Sequence, residues 1–381
     1  MKRKPFSLIL LPTLACNADC EYCFEAKAEV KMTHGQLSVL VRKVMDHMEE
    51  NRIEKLHVYW QGGEVMTMPP EWFQRADELI QRIAADSGCE VSHYLQSNMV
   101  AYSSRWNPVL AEMFGNSVGT SMDYPNLHRR LKNGSLEDYG RVWERNVRKA
   151  REAGIEVGVI SIPNEGTFEI GADRFYSYFT EELGISDFQI NTPFPGGAMN
   201  DAKMAYPLDN GRLSGFLRDL GRIWVERGYS HGVRVGPFDR LVNYFLFGNR
   251  DLLCIWGDNC SNDFICIDPG GNVAQCDCWV TSYPDYRFGN LLASNGLSEM
   301  LRSSPVRQSL LSRPGTIVLN EDCLECGYLS VCHGGCPVRA FSVHGDLSRK
   351  DPYCELYQSL FRDVEDLAMM QCSGMAQGAG I

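Results

Sequence analysis

From residue 5 to about 195, short apolar runs alternate with helical periodicities, an alternation that restricts the chain to repeated βα units on a parallel sheet. The candidate strands are residues 7–11, 56–60, 91–96, 117–121, 156–160 and 187–191. After the first, Thr33-His34-Gly35-Gln36 reads as a capping box, and Leu37, Leu40, Val41, Val44 and Met48 form one apolar helix face. Trp72, Ala76, Leu79, Ile80 and Ile83 form another after the second strand. The expected fold is α/β, a partial (β/α)6 barrel with too few units to close like an eight-unit barrel. Its open side can admit a large substrate.

At 381 residues, about two folding units are expected. The barrel is assigned to residues 1–200 and an amphipathic helical bridge, strongest from Leu213 to Trp224, to 201–250. A small cysteine-rich domain follows over 251–372, and a Gly- and Ser-rich tail over 373–381 reads as disordered. A formal charge of −11 with only short basic runs argues against a nucleic-acid partner. No apolar run approaches the roughly 20 residues of a membrane span, and no signal cleavage site follows the first residues, so a cytoplasmic protein without a membrane partner is expected. With strand one beginning so early, no separate leader-peptide-binding domain is expected before it.

Fifteen cysteines in an unsignalled chain with CxxC pairs point to thiolate metal ligands rather than disulfides. Cys16-x3-Cys20-x2-Cys23 follows the first strand, at the carboxyl end of the sheet where such folds carry their active sites. Three thiolates on a [4Fe-4S] cluster leave one iron open. The same spacing also suits a structural knuckle, or a zinc site completed by a distant ligand such as His57. Further on stand Cys254-x5-Cys260-x10-Gly271-x4-Cys276, Cys323-x2-Cys326-x5-Cys332-x3-Cys336 and Cys354, enough thiolates for two fully ligated cubanes or for zinc ribbons. Cys266 and Cys278 are surplus, and either can replace an assigned ligand; Cys89 and Cys372 read as a buried thiol and a tail thiol.

The first triad, with Tyr22 before its last cysteine and Phe24 after it, resembles the signature of the radical S-adenosylmethionine superfamily. The resemblance implies a cofactor chelated to the open iron and cleaved to a 5′-deoxyadenosyl radical, with the protein positioning it. Gln61-Gly62-Gly63-Glu64 resembles the family's cofactor-binding motif: glycines permit close backbone approach, and the carboxylate can accept the methionine ammonium. Ser97 and Asn98 after strand three, and Ser121 and Asp123 after strand four, resemble positions that bond the methionine carboxylate or the ribose; helix capping is the other reading for Asn98, Ser121 and Asp123.

The second array resembles the SPASM extension of peptide-modifying radical enzymes. That likeness implies one auxiliary [4Fe-4S] cluster on Cys254, Cys260, Cys276 and Cys336 and another on Cys323, Cys326, Cys332 and Cys354, three clusters in all. Most of the chain resembles the anaerobic sulfatase-maturating enzymes, through Gln61 to Glu64, the loop at 128–134, Cys260 to Asp277, His333-Gly334-Gly335-Cys336 and Tyr353-Cys354-Glu355-x-Tyr357. There the aspartate after the cluster cysteine, here Asp277, takes a proton while a Ser or Cys of a target protein becomes formylglycine; a loop residue or helix cap is the plain alternative. Val65, Met99 and Tyr124 depart from that family's usual residues. The implied activity is Cβ-hydrogen abstraction from a peptide or protein side chain, giving a crosslink or formylglycine, with flavodoxin or ferredoxin as reductant. A small-molecule radical dehydrogenase and a non-catalytic iron-sulfur or zinc protein are the alternatives.

Overall fold

The computed structural model describes residues 4–193 and 209–378, with residues 371–378 as backbone alone. Its first half repeats strand and helix: β1 (Phe6–Leu10), α1 (His34–Glu50), β2 (Lys55–Trp60), α2 (Pro70–Asp86), β3 (Glu90–Leu95), α3 (Asn107–Glu112), β4 (Ser117–Ser121), α4 (Leu136–Glu152), β5 (Glu156–Ser161), α5 (Glu165–Ser177) and β6 (Asp187–Ile190). There follow α6 (Asn210–Arg227), β7 (Arg234–Gly236), α7 (Phe238–Phe247), β8 (Phe264–Ile267), β9 (Asn272–Ala274), α8 (Asp277–Ser282), β10 (Gly289–Asn290), α9 (Leu297–Ser303), α10 (Pro305–Asn320), α11 (Leu329–Cys332), α12 (Pro337–His344) and α13 (Cys354–Gly378).

Local chemistry accounts for the boundaries. Thr33 accepts from the Gln36 amide while the Gln36 side chain reaches back to Thr33, closing the box that starts α1. Ser135 caps α4 through the Asp138 amide. Alternation along the strands then sorts the side chains. Leu8, Leu10, Leu56, Val58, Trp60, Val118, Val157, Val159 and Phe188 are buried. In the same core lie Leu37, Leu40, Val41, Val44 and Met48 of α1 and Phe73, Ala76, Ile80 and Ile83 of α2. Intervening positions at the strand ends, Ile9, Gln61, Gln96, Ser121, Ile160 and Gln189, face the barrel interior, where they line a cavity.

All six expected strands are present, and the sheet is larger than the sequence predicts. β1, β2 and β3 pair in parallel, the Gln96–Gly119 bridge carries the sheet to β4, and β5, β6 and β7 continue it. On the far side of β1, β8 adds another parallel strand, itself followed by antiparallel β9 and β10. The order is therefore β8-β1-β2-β3-β4-β5-β6-β7, and among the described residues no pairing closes β7 onto β8. The segment read as a helical bridge contains β7, whose three residues are too few to display a two-residue period. α13 runs to Gly378, into the stretch that composition reads as a disordered tail; it packs on α6 and α7, and its first turns nucleate the rest.

The cysteine-rich half is fastened to the barrel by more than β8. Lys43 of α1 donates to the carbonyls of Leu291 and Ser294 at 2.8 and 2.6 Å, and His47 Nδ1 lies 2.7 Å from Ser298 Oγ. Among the described residues no helix is long and apolar enough to cross a membrane.

Candidate active site

The carboxyl ends of the barrel strands open on a cavity of about 620 Å³. One wall is the loop after β1, which carries Cys16, Cys20 and Cys23. The two glycines after β2 hold that loop close. A Cβ on Gly62, whose φ is +133°, would sit 2.5 Å from the Thr13 carbonyl oxygen, and one on Gly63 would sit 2.4 Å from that of Ala15. The steric demand on this pair therefore comes from the cysteine loop's own backbone.

Glu64 is buried, and it accepts from Ser97 Oγ (2.6 Å), the Asn98 amide (2.6 Å) and the Met66 amide (2.8 Å). Burial pushes its carboxyl up against the opposing pull of those three donors. A carboxylate has about four acceptor directions, so Oε2, which takes only the Asn98 amide, keeps one for a ligand. Asn98 also donates to Asn17 Oδ1 at 2.7 Å, tying the end of β3 to the cysteine loop. Ser121 lines the cavity and accepts from Gln96 Nε2 at 3.0 Å.

Asp123 differs from the sequence reading. Its carboxylate is fully buried, away from the cavity wall, and takes the Tyr22 hydroxyl, Arg129 Nε at 3.1 Å, Arg129 Nη2 at 3.2 Å and the Ile162 amide at 3.0 Å. With its acceptor directions filled, it is an anchor for Tyr22 and Arg129 rather than a direct ligand group. His57 lies off the cavity wall, against the rings of Tyr59 and Tyr94, so it does not complete a metal site with the first triad.

The cysteine-rich half builds another part of the wall and contributes Cys254, Cys260, Cys276 and Cys336. Gln275 fixes this wall by donating to the carbonyls of Cys260 and Phe264, both at 2.6 Å. Cys323, Cys326, Cys332 and Cys354 surround a separate, smaller cavity. Asp351 lies between the two sets, receiving the Cys336 and Tyr353 amides at 2.9 Å each. Buried Arg313 holds the intervening turn through the carbonyls of Gly334 and Gly335. Of the surplus cysteines, Cys266 is buried in β8 and lines neither cavity, whereas Cys278 lines the large one, its sulfur within 4.8 Å of ligand atoms of Cys276 and Asp277. Cys89 touches the carbonyls of Ile53 and Ser87 away from both, and the Cys372 side chain lies outside the described residues.

Burial pushes the bare thiols up, to about 11 at Cys16 and Cys336 and about 12 at Cys23 and Cys332. Thiols so grouped stay neutral until a metal displaces their protons. Neither cavity wall has a histidine among the described residues, and an all-sulfur donor set of three and two of four suits iron-sulfur clusters.

Asp277 starts α8. Its Oδ1 accepts from the Cys278 amide at 2.9 Å, its Oδ2 from Gln61 Nε2 at 2.7 Å, and burial pushes its carboxyl up. The sequence reading did not single out Glu25, which lines the same cavity at 6% exposure. Among the described residues its Oε2 is buried without a hydrogen-bond partner; desolvation, then the neighbouring Asp277 carboxylate, holds it well above the usual range. The only available signal was an acidic residue two positions after a cluster cysteine. Lys27 and Arg339 were also missed: Lys27 Nζ donates to the Ala18 carbonyl at 2.7 Å, and Arg339 bonds Tyr357 Oη at 2.5 Å and the Thr192 carbonyl at 3.2 Å.

Comparison with known proteins agrees with this geometry. Residues 10–166 match the Radical SAM superfamily. A serine-type anaerobic sulfatase-maturating enzyme of Bacteroides thetaiotaomicron is 24% identical over 392 residues, an alignment spanning 95% of this chain and 90% of that protein. The fold resembles native anSMEcpe with bound AdoMet and Cp18Cys peptide, with a TM-score of 0.79 at 22% identity over 98% of this chain and 100% of that one. It also resembles Streptococcus suis SuiB bound to its precursor peptide SuiA, with a TM-score of 0.60 at 14% identity over 92% and 76%. The cysteine triad at the carboxyl end of the parallel α/β barrel thus lies inside the stretch, residues 10–166, that matches the Radical SAM superfamily.

Proposed function

We propose that this enzyme oxidises a peptide or protein side chain, starting from removal of a Cβ hydrogen and ending in a crosslink or a formylglycine. The observation that carries the reading is the single cavity lined both by Cys16, Cys20 and Cys23 and by Cys254, Cys260, Cys276 and Cys336 with Asp277. Peptide complexes of the similarly folded anSMEcpe and SuiB support a peptide as the occupant.

The match of residues 10–166 to the Radical SAM superfamily implies S-adenosylmethionine and a [4Fe-4S] cluster, which together would supply hydrogen-atom abstraction at an unactivated carbon. Cys16, Cys20 and Cys23 would hold that cluster, leaving an iron for the cofactor. Gly62, Gly63, Glu64, Ser97, Asn98 and Ser121 would cradle the cofactor. Gln61 orients Asp277 through its amide. Asp277 takes the hydroxyl or thiol proton of the substrate residue, which makes that residue a strong reductant. Removing a hydrogen atom and a proton leaves one electron to pass on, and the cavity-lining set of four thiols would hold an acceptor where it is needed. The set at Cys323, Cys326, Cys332 and Cys354 would hold a third cluster on the way out. The reductant that starts each turnover is a low-potential carrier such as flavodoxin or ferredoxin, which suits a cytoplasmic enzyme.

The test is anaerobic. Reconstituted protein should carry about twelve irons per chain, falling to about eight, with loss of 5′-deoxyadenosine formation, in the Cys16→Ala/Cys20→Ala/Cys23→Ala variant. Deuterium should reach 5′-deoxyadenosine from Cβ-labelled peptide and not from a labelled sugar alcohol. Zinc in place of iron, or transfer from the sugar alone, would sink the reading.

A further inference from the structure

We propose that Glu25 receives a basic side chain, arginine or lysine, of the bound peptide, next to the residue whose hydrogen is removed. The inference rests on the peptide-modifying reading and adds a specificity determinant to it. Glu25 lines the large cavity between the first cysteine triad and α8, and it is only 6% exposed. Its segment is fixed there because Ser282 of α8 donates to the Phe24 carbonyl. Yet among the described residues Oε2 has no hydrogen-bond partner, and a buried carboxyl oxygen left without a donor is a costly arrangement that calls for a missing partner.

The cations on the cavity wall hydrogen-bond to groups other than Glu25. Lys27 donates to the Ala18 carbonyl, Arg129 to Asp123, and Arg339 to Tyr357 and Thr192. The strongest charge acting on Glu25 is another carboxylate, that of Asp277, with the Lys27 ammonium opposing it more weakly; Asp277 itself accepts from the neutral Gln61 amide and the Cys278 backbone amide. Two acidic groups lining one cavity, with no cation hydrogen-bonded to either among the described residues, are complementary to a guanidinium or an ammonium brought in by the ligand. A planar guanidinium has donors enough to meet Glu25 and still leave Asp277 its place beside the reacting atoms.

Fluorescent peptides with a central cysteine or serine, and a single arginine walked across the flanking positions, test this on the reconstituted full chain with its cofactor bound. Each has a partner in which citrulline replaces arginine. At one position the arginine peptide should bind roughly thirtyfold or more tightly than its citrulline partner, since removing one member of a buried charge pair costs about that much. Glu25→Gln should erase the difference while iron content stays unchanged. A wild-type protein with no arginine preference at any position overturns the proposal, whatever the variant does, and so does a preference that survives Glu25→Gln. Peptides that bind without discrimination overturn the role of Glu25 alone. Failure of every peptide to bind, with no peptide-dependent 5′-deoxyadenosine, removes the peptide reading and this inference with it.

Discussion

Gln61 at the end of β2 and Asp277 at the start of α8, 216 positions apart in sequence, meet through a 2.7 Å hydrogen bond from amide to carboxylate. The bond crosses from the barrel to the cysteine-rich half inside the cavity, so each half fixes a group the other presents. If Asp277 is the proton acceptor, Asp277→Asn removes the base and leaves the cofactor's surroundings intact. Oxidised peptide should fall about 10²- to 10⁴-fold, while peptide-dependent 5′-deoxyadenosine persists. Equal loss of both products, followed by mass spectrometry, would contradict that division of labour.

Gly63 is the position at which the cysteine loop leaves least room. A methyl there would lie 2.4 Å from the Ala15 carbonyl oxygen and 2.6 Å from that of Leu14, both backbone atoms that must move for it to fit. Overpacking of this kind costs about 1–3 kcal/mol. The displaced loop is the one that carries Cys16, so Gly63→Ala should lose about four irons on reconstitution. Iron content equal to wild type would show that the loop is free to move.

Much of the barrel was legible because short apolar runs alternate with helical periodicities, and the buried strand residues pack with the apolar faces of α1 and α2 in one core. β7 was hidden by its length and β8 by its setting, four residues among cysteines that read as loop. Asp123 shows how a strand-end position leaves a side chain's partners open: it follows β4, and Arg129 folds back to bind its carboxylate. Glu25 is a second case. Nothing near it in sequence demands burial, since what covers it is α8, contributed by residues 277–282. Only tertiary contact turns a surface-type residue into a cavity residue.

Asp351 connects the two auxiliary cysteine sets through a pair of backbone bonds. It is 2% exposed and accepts from the Cys336 and Tyr353 amides, holding the turn before α12 against the start of α13. Asp351→Ala strands two buried amides at a penalty of about 1–3 kcal/mol each. The variant should melt at lower temperature and lose iron from the cysteine-rich half first, with the first triad still able to support 5′-deoxyadenosine formation. A melting temperature and iron count equal to wild type would show that this link is dispensable.

A pH dependence follows from His47, which joins α1 to the cysteine-rich half through Ser298 Oγ at 2.7 Å, far from any proposed ligand. Burial lowers its imidazole below the ordinary 6.5; Arg307 pushes the same way and Glu50 opposes it. Asn51 Nδ2 at 3.2 Å and the ring of Phe6 at 5.3 Å complete its surroundings. Because the folded state disfavours the proton, the unfolded chain binds more protons between the lowered value and 6.5, and stability rises with pH across that window. The contribution is complete above 6.5 and is lost as pH falls through the folded value. Thermal unfolding of His47→Gln should therefore vary less steeply with pH below 6.5 than that of wild type, the two running parallel above it. Parallel curves throughout would show that His47 titrates alike in both states.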